Sequence, residues 1–159
     1  IELGSMEERF DRFEEGMEVV TQLLKQDRST FKGNWYSLQD AMNNPKGPQN
    51  PLPICIGGGG LRRTIPAVAK YAHHWNYGTQ TMSLEDFKMR HNVFLEACEK
   101  EGRDPDDILI STMLRYDGDA QATIQQAREY EEAGVKLGIV SIPKDKSPEI
   151  VEEIAEILS

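Results

Sequence analysis

The sequence predicts an α/β fold built from one helix, an irregular connection and four consecutive βα units. Three observations carry that expectation. Short apolar runs alternate with longer segments whose apolar residues recur every three or four positions, glycine, proline and serine punctuate most junctions, and no linker or low-complexity tract interrupts the alternation. Strands that alternate with helices imply a parallel sheet with right-handed crossovers. Four such units fit either a small open α/β sheet or half of a TIM-type (β/α)8 barrel. A complete barrel takes roughly 250 residues, and this chain has 159.

From Glu7 to about Gln26, Phe10, Phe13, Met17, Val20 and Leu24 recur at helical spacing with charged residues between them, which predicts an amphipathic helix. Residues 1–5 before Met6 read as a cloning scar and are set aside, leaving 6–159 as a single expected domain. Between Ser29 and Pro53 no period holds. Lys32-Gly33-Asn34 predicts a short hairpin, followed by a proline-stiffened connection.

The regular part begins after Pro53. Ile54-Cys55-Ile56 is a short strand ended by four glycines, and Arg62 to Ala72 reads as a helix with Ile65, Val68, Ala69 and Ala72 on one face. Pro66 falls near its first turn, where proline is tolerated. Trp75-Asn76-Tyr77 is the second strand. Ser83 caps a long helix with Leu84, Phe87, Phe94, Leu95 and Cys98 directed inward, and Gly102 stops it. Ile108–Leu114 is the third strand, Ala120–Ala133 a helix closed by Gly134, and Val135–Ile142 holds the fourth strand. Ser147-Pro148 then opens a last helix striped with Ile150, Val151, Ile154, Ile157 and Leu158.

Composition narrows the function classes. A net charge of −9 argues against non-specific nucleic-acid binding, which needs clustered cations to displace counterions. No apolar run reaches the roughly 18 residues of a membrane span, and no signal-peptide pattern is present. Cys55 and Cys98 have neither disulfide-framework nor metal-ligand spacing, so both are expected to be small buried hydrophobes in a cytoplasmic protein.

The segment that carries chemistry is Ile54-Cys55-Ile56-Gly57-Gly58-Gly59-Gly60-Leu61-Arg62-Arg63-Thr64. A strand, a glycine turn and a helix start follow in that order. Glycines let the backbone approach a ligand closely, and N–H groups at the turn and helix start favour an anion. Arg62 or Arg63 adds a charge-assisted bond and Thr64 a hydroxyl, so a phosphate suits the site. The plainer alternative is a flexible turn with solvated arginines. The Walker and dinucleotide spacings are both absent.

Other candidates read as structural. His73 and His74 are adjacent on a strand, point to opposite faces and do not chelate one metal together, so one is expected half-buried and the other exposed. His91 lies in line with Phe87 and Phe94 as a helix-packing histidine. Trp35 and Tyr36 read as hairpin packing, with closure over a substrate as the alternative. Asp117 and Asp119 resemble a turn and a helix cap, and no metal site is expected.

Several segments resemble, in order, the luciferase-like monooxygenases. Glu8-Arg9-Phe10-Asp11-Arg12-Phe13-Glu14-Glu15 is similar to the helix before that family's insertion region, and Phe31-Lys32-Gly33-Asn34-Trp35-Tyr36 to its hairpin. Pro51 to Gly60, with Arg63-Thr64 and Ala69-Lys70-Tyr71-Ala72, resembles its phosphate-binding turn and helix. Trp75-Asn76 and Gly102-Arg103-Asp104-Pro105 continue the set. The ordered set is closest to the branch that uses the deazaflavin F420. Ala72-His73-His74-Trp75-Asn76 departs from the usual Ala-Asp-Gly-Trp-Asn.

The resemblance implies that the four βα units match strands five to eight of a TIM-type barrel. It implies that Gly57, Gly58, Gly59 and Gly60, with Arg63 and Thr64, hold the phosphate of F420 or FMN. It also implies hydride or oxygen chemistry in which the protein orients the cofactor. The family's first four strands, which supply much of the ring pocket, have no counterpart here. Two functions are therefore carried forward: an oxidoreductase or its cofactor-binding half, and a non-catalytic half-barrel acting in anion binding or assembly. Open strand edges predict a homodimer, the alternative being a fragment of a longer enzyme.

Overall fold

The computed structural model describes residues 4–78, 83–145 and 147–158. By contacts the chain divides into two compact units, Ile1–Ile54 and Cys55–Ser159.

The first unit opens with helix α1 (Met6–Lys25). Ser5 caps it by accepting from the Glu8 N–H, and Glu8 returns a bond to the Ser5 N–H. Ser5 thus takes part in the fold, while residues 1–3 of the expected scar lie outside the described residues. Met17 is buried and Phe10, Phe13 and Leu24 are half-buried on the expected stripe, whereas Val20 is exposed and Val19 takes the buried place beside Met17. At the other end Lys46 Nζ donates to the carbonyls of Leu23 (3.1 Å) and Gln26 (2.7 Å), serving the last turn's open acceptors.

Strands β1 (Ser29–Lys32) and β2 (Ser37–Ala41) form the expected hairpin, antiparallel and irregular between Ser29 and Phe31. Glu15 of α1 fastens its turn. The carboxylate accepts from the N–H groups of Asn34 (2.9 Å), Trp35 (2.8 Å) and Tyr36 (2.6 Å). Desolvation pushes the Glu15 carboxyl up, and the three N–H donors outweigh it, leaving the pKa below the usual carboxylate value. The Arg12 guanidinium lies 4.2 Å from the centre of the Trp35 ring. Trp35 and Tyr36 are therefore anchored to α1 as hairpin packing.

The second unit is the α/β part. Its sheet holds β3 (Cys55–Gly57), β4 (His74–Tyr77), β5 (Leu109–Arg115) and β6 (Leu137–Ser141), all parallel and in sequential order. The crossovers are α2 (Thr64–Tyr71), α3 (Leu84–Glu101) and α4 (Ala120–Glu132), and α5 (Ile150–Leu158) follows β6. Ser83 and Asp86 form a capping box on α3, Gly102 closes it at φ 65°, and Asp119 caps α4 through the Ala122 N–H. Arg103 secures the end of α2 by donating to the carbonyls of Ala69 and Ala72.

Alternation along the strands separates two faces. Ile56, Trp75, Tyr77, Ile110 and Leu114 are buried beneath the helices with Ile65, Val68, Phe87, Phe94 and Cys98. Trp75 stacks on Phe94 with centroids 5.1 Å apart. Truncating Phe94 to alanine in such a setting costs about 3–5 kcal/mol. A second cluster joins Tyr116, Ala120 and Ile150 to Val140, Ile142, Ile154 and Ile157.

The opposite face carries Cys55, His74, Asn76, Leu109, Ser111, Leu137 and Ile139, as the parallel register requires. This corrects the expectation for Cys55, whose side of β3 is the open one: its thiol is free and exposed, whereas Cys98 is buried. Leu95 and Val151 are likewise exposed, each a residue beyond the helix face that packs. The Leu158 side chain, last of the expected stripe, lies outside those described. No helix among the described residues is long and apolar enough to cross a membrane.

Candidate functional site

The glycine turn is bound to the sheet and to α3 at successive residues. Gly57 ends β3. Gly58 takes φ 110°, a conformation that L side chains rarely adopt, so glycine is required there for backbone reasons. Its N–H donates to the Asn76 carbonyl (3.0 Å), and its own carbonyl accepts from Trp75 Nε1 (2.7 Å). Gly59 is buried, and its carbonyl accepts from Arg90 Nη1. A Cβ at Gly59 would stand 3.1 Å from Tyr77 Cε2 and 3.2 Å from Arg90 Cδ. The Gly60 carbonyl accepts from the Ile65 N–H (2.9 Å), and a Cβ at Gly60 would stand 2.8 Å from Thr64 Oγ1.

The predicted site residues are thus brought together on one strand–turn–helix connection. Arg63 occupies the cap position of α2 without a side-chain capping bond, Thr64 opens the helix, and both are half-buried. Arg62 lies in the turn before α2 and is exposed, so the helix starts two residues later than expected.

Two supports were not named from the sequence. Arg90 follows Phe87 by three positions and precedes Phe94 by four, so a cation stands on the apolar face of α3. That placement is a signal, because a charge there needs a polar partner. Its partners are the Gly59 carbonyl and the Tyr77 hydroxyl. Burial raises the Tyr77 pKa, while Arg90 acts against that rise. Trp75 is the second support, its ring in the core and its N–H on the turn.

On the open face Ser111 is fully buried, and its hydroxyl lies 2.7 Å from His74 Nε2 and accepts from Asn76 Nδ2 at 2.7 Å. His73 and His74 are both half-buried, which corrects the expected split, because His74 is held by Ser111 while the His73 carbonyl accepts from the Leu109 N–H. His91 packs as expected, stacked on Phe87 and Phe94 at 5.5 and 5.9 Å, with its pKa lowered by burial. Among the described residues no three His, Cys, Asp or Glu side chains cluster as a metal site.

Comparison with known proteins agrees with this architecture. A family model described as luciferase-like monooxygenase matches residues 2–135. The chain is 29% identical over 164 residues to an F420-dependent glucose-6-phosphate dehydrogenase of Amycolatopsis mediterranei, covering 99% of this chain and 46% of the relative. It is 31% identical over 127 residues to the protein of the same name from Kineococcus radiotolerans, covering 76% and 36%. The chain therefore spans less than half the length of these relatives. Among solved structures, an F420-dependent secondary alcohol dehydrogenase in complex with an F420-acetone adduct superimposes with TM-score 0.84 at 16% identity, over 98% of this chain and 63% of that one. An F420-dependent tetrahydromethanopterin reductase from Methanopyrus kandleri does so with TM-score 0.69 at 14% identity, over 86% and 57%. The four βα units match part of these enzymes, in line with the half-barrel expectation.

Proposed function

The chain belongs to the luciferase-like monooxygenase family, and from that membership we infer that it is the cofactor-binding half of an F420- or FMN-dependent oxidoreductase. Gly57, Gly58, Gly59, Gly60, Arg63 and Thr64 hold the cofactor phosphate in this reading. The observation that carries it is the bracing of the turn: Trp75, Asn76 and Arg90 bond Gly58 and Gly59, while Gly57, Gly58 and Gly60 stay exposed. A phosphate is served by backbone set in advance at a helix start and by a neighbouring cation. The names of the relatives favour F420 over FMN. The bound cofactor supplies the redox chemistry, and this chain binds and orients it. Two free cysteines suit a reducing, cytoplasmic setting.

Fluorescence titration with F420 and with FMN tests the reading. Saturable binding that Gly58→Asp abolishes supports it. Absence of binding to both, with Gly58→Asp behaving like the parent, overturns it.

A second reading, an assembly module, has its own observation. Leu109, Leu137 and Ile139 are 38%, 41% and 36% exposed on the sheet face away from the helices. A two-fold axis parallel to the strands would set β6 of one copy beside β3 of another with all strands parallel, so the proposed partner is a second copy. Sedimentation that shows a dimer, returned to monomer by Ile139→Lys, supports this. A monomer at all concentrations overturns it.

A further inference from the structure

The C-terminal ends of β5 and β6 frame a cleft that the glycine turn does not use. It encloses about 720 Å³, within the range of small-molecule sites, and its walls include Met113, Arg115, Asp117, Gln126, Ser141 and Pro143. Arg115 and Ser141 are the last residues of their strands and stand in register, and the Tyr116 N–H donates to the Ser141 carbonyl at 3.1 Å. Parallel partners direct their side chains to the same face, so a guanidinium and a hydroxyl emerge side by side at the cleft. Gln126 adds an amide from α4, and Met113 and Pro143 give apolar surface.

Position and chemistry agree. Ligands of parallel α/β sheets bind beyond the carboxyl ends of the strands, and barrels often place a phosphate after their last two strands. Guanidinium presents a planar fork that pairs two-point with carboxylate or phosphate. Asp117, a carboxylate in the same cleft, repels a bare anion close to it but accepts from a hydroxyl. The glycine turn follows β3, two to three strands away. At about 4.8 Å per strand that is roughly 10–15 Å, too far for one phosphate to engage both.

We propose that Arg115, with Ser141 and Gln126, forms a second anion subsite that takes the phosphate or carboxylate of a small hydroxylated organic anion, with Asp117 accepting from the ligand's hydroxyl. This subsite stands whether or not the glycine turn binds a cofactor.

Backbone-amide NMR of the whole chain, titrated at constant ionic strength with inorganic phosphate and separately with glycerol 3-phosphate, tests it. The expected result is saturable shifts at Arg115, Tyr116, Asp117 and Ser141 with both probes, tighter for glycerol phosphate. Arg115→Gln weakens both by about tenfold or more, while Asp117→Asn removes only the advantage of glycerol phosphate. Arg115 is an exposed strand-end residue, so the dispersed spectrum of the variant verifies its fold independently. No saturable response up to about 50 mM, or one that Arg115→Gln leaves unchanged, overturns the proposal. The amides of residues 57–64 report on the glycine turn separately, so either site can fail alone.

Discussion

Arg90 reaches from the buried side of α3 to the carbonyl of Gly59, so a cation in the helix layer holds a turn at the end of β3. Its Nε is buried without a hydrogen-bond partner, so the Nη1 bond to Gly59 and the bond with the Tyr77 hydroxyl together offset guanidinium burial. Arg90→Met keeps the bulk and removes the charge. It is expected to cost about 1–3 kcal/mol in urea denaturation and to weaken F420 or FMN binding without touching the phosphate. If stability and binding both match the parent, Arg90 does not brace the turn.

Gly60 and Thr64 are coupled by contact. An added Cβ at Gly60 stands 2.8 Å from Thr64 Oγ1, so Gly60→Ala forces the threonine hydroxyl aside. The single variant is expected to lose about 1–3 kcal/mol. Adding Thr64→Ala removes the obstacle, and a double-mutant cycle should return coupling above about 0.5 kcal/mol. Additive losses would assign the cost of Gly60→Ala to the backbone instead.

The Glu15 carboxylate is expected to make the hairpin sensitive to acid. Its folded pKa lies below the ordinary value of 4.5, so the tether is intact above that value and is lost as pH falls through the folded one. Hydrogen exchange at Asn34, Trp35 and Tyr36 should quicken in Glu15→Gln at neutral pH relative to the parent. Gly33→Ala should do the same, because its Cβ would collide with the Glu15 carboxylate.

His91 predicts a separate pH effect. Burial lowers its pKa below 6.5, so the unfolded chain binds the proton first on acidification. Its neutral ring supports the fold fully above the unfolded value. That contribution falls as pH drops from about 6.5 toward the folded value, then stays constant. His91→Phe keeps an aromatic ring against Phe87 and Phe94 and removes the titration. Denaturation at several pH values should show a flatter profile for the variant in that window, and an unchanged slope would contradict the assignment.

Most of the architecture was legible because periodicity and punctuation agreed. Ser83, Gly102 and Asp119 cap or stop their helices as their residue types suggest, and the parallel order follows from alternating strands and helices. What escaped was relational. Cys55 looks buried in an apolar run, but only the register with His74 shows that it shares the open face. Leu95 and Val151 belong to apolar stretches yet miss the packed face by one position. The turn itself was visible as four glycines, whereas Arg90, distant in sequence, is tied to it only through the fold. Periodicity also leaves open which glycine needs its missing side chain: Gly58 needs it for backbone angle, while Gly57 meets little more than the Asn76 carbonyl at 3.9 Å.

The four hydrogen bonds that hold Gly58, Gly59 and Gly60 have a kinetic consequence. A segment already pinned at both faces has few conformations left to surrender when a ligand arrives, so little ordering entropy opposes capture. Association with such a turn is governed by encounter and orientation, and differences in affinity among ligands are carried by how slowly they leave.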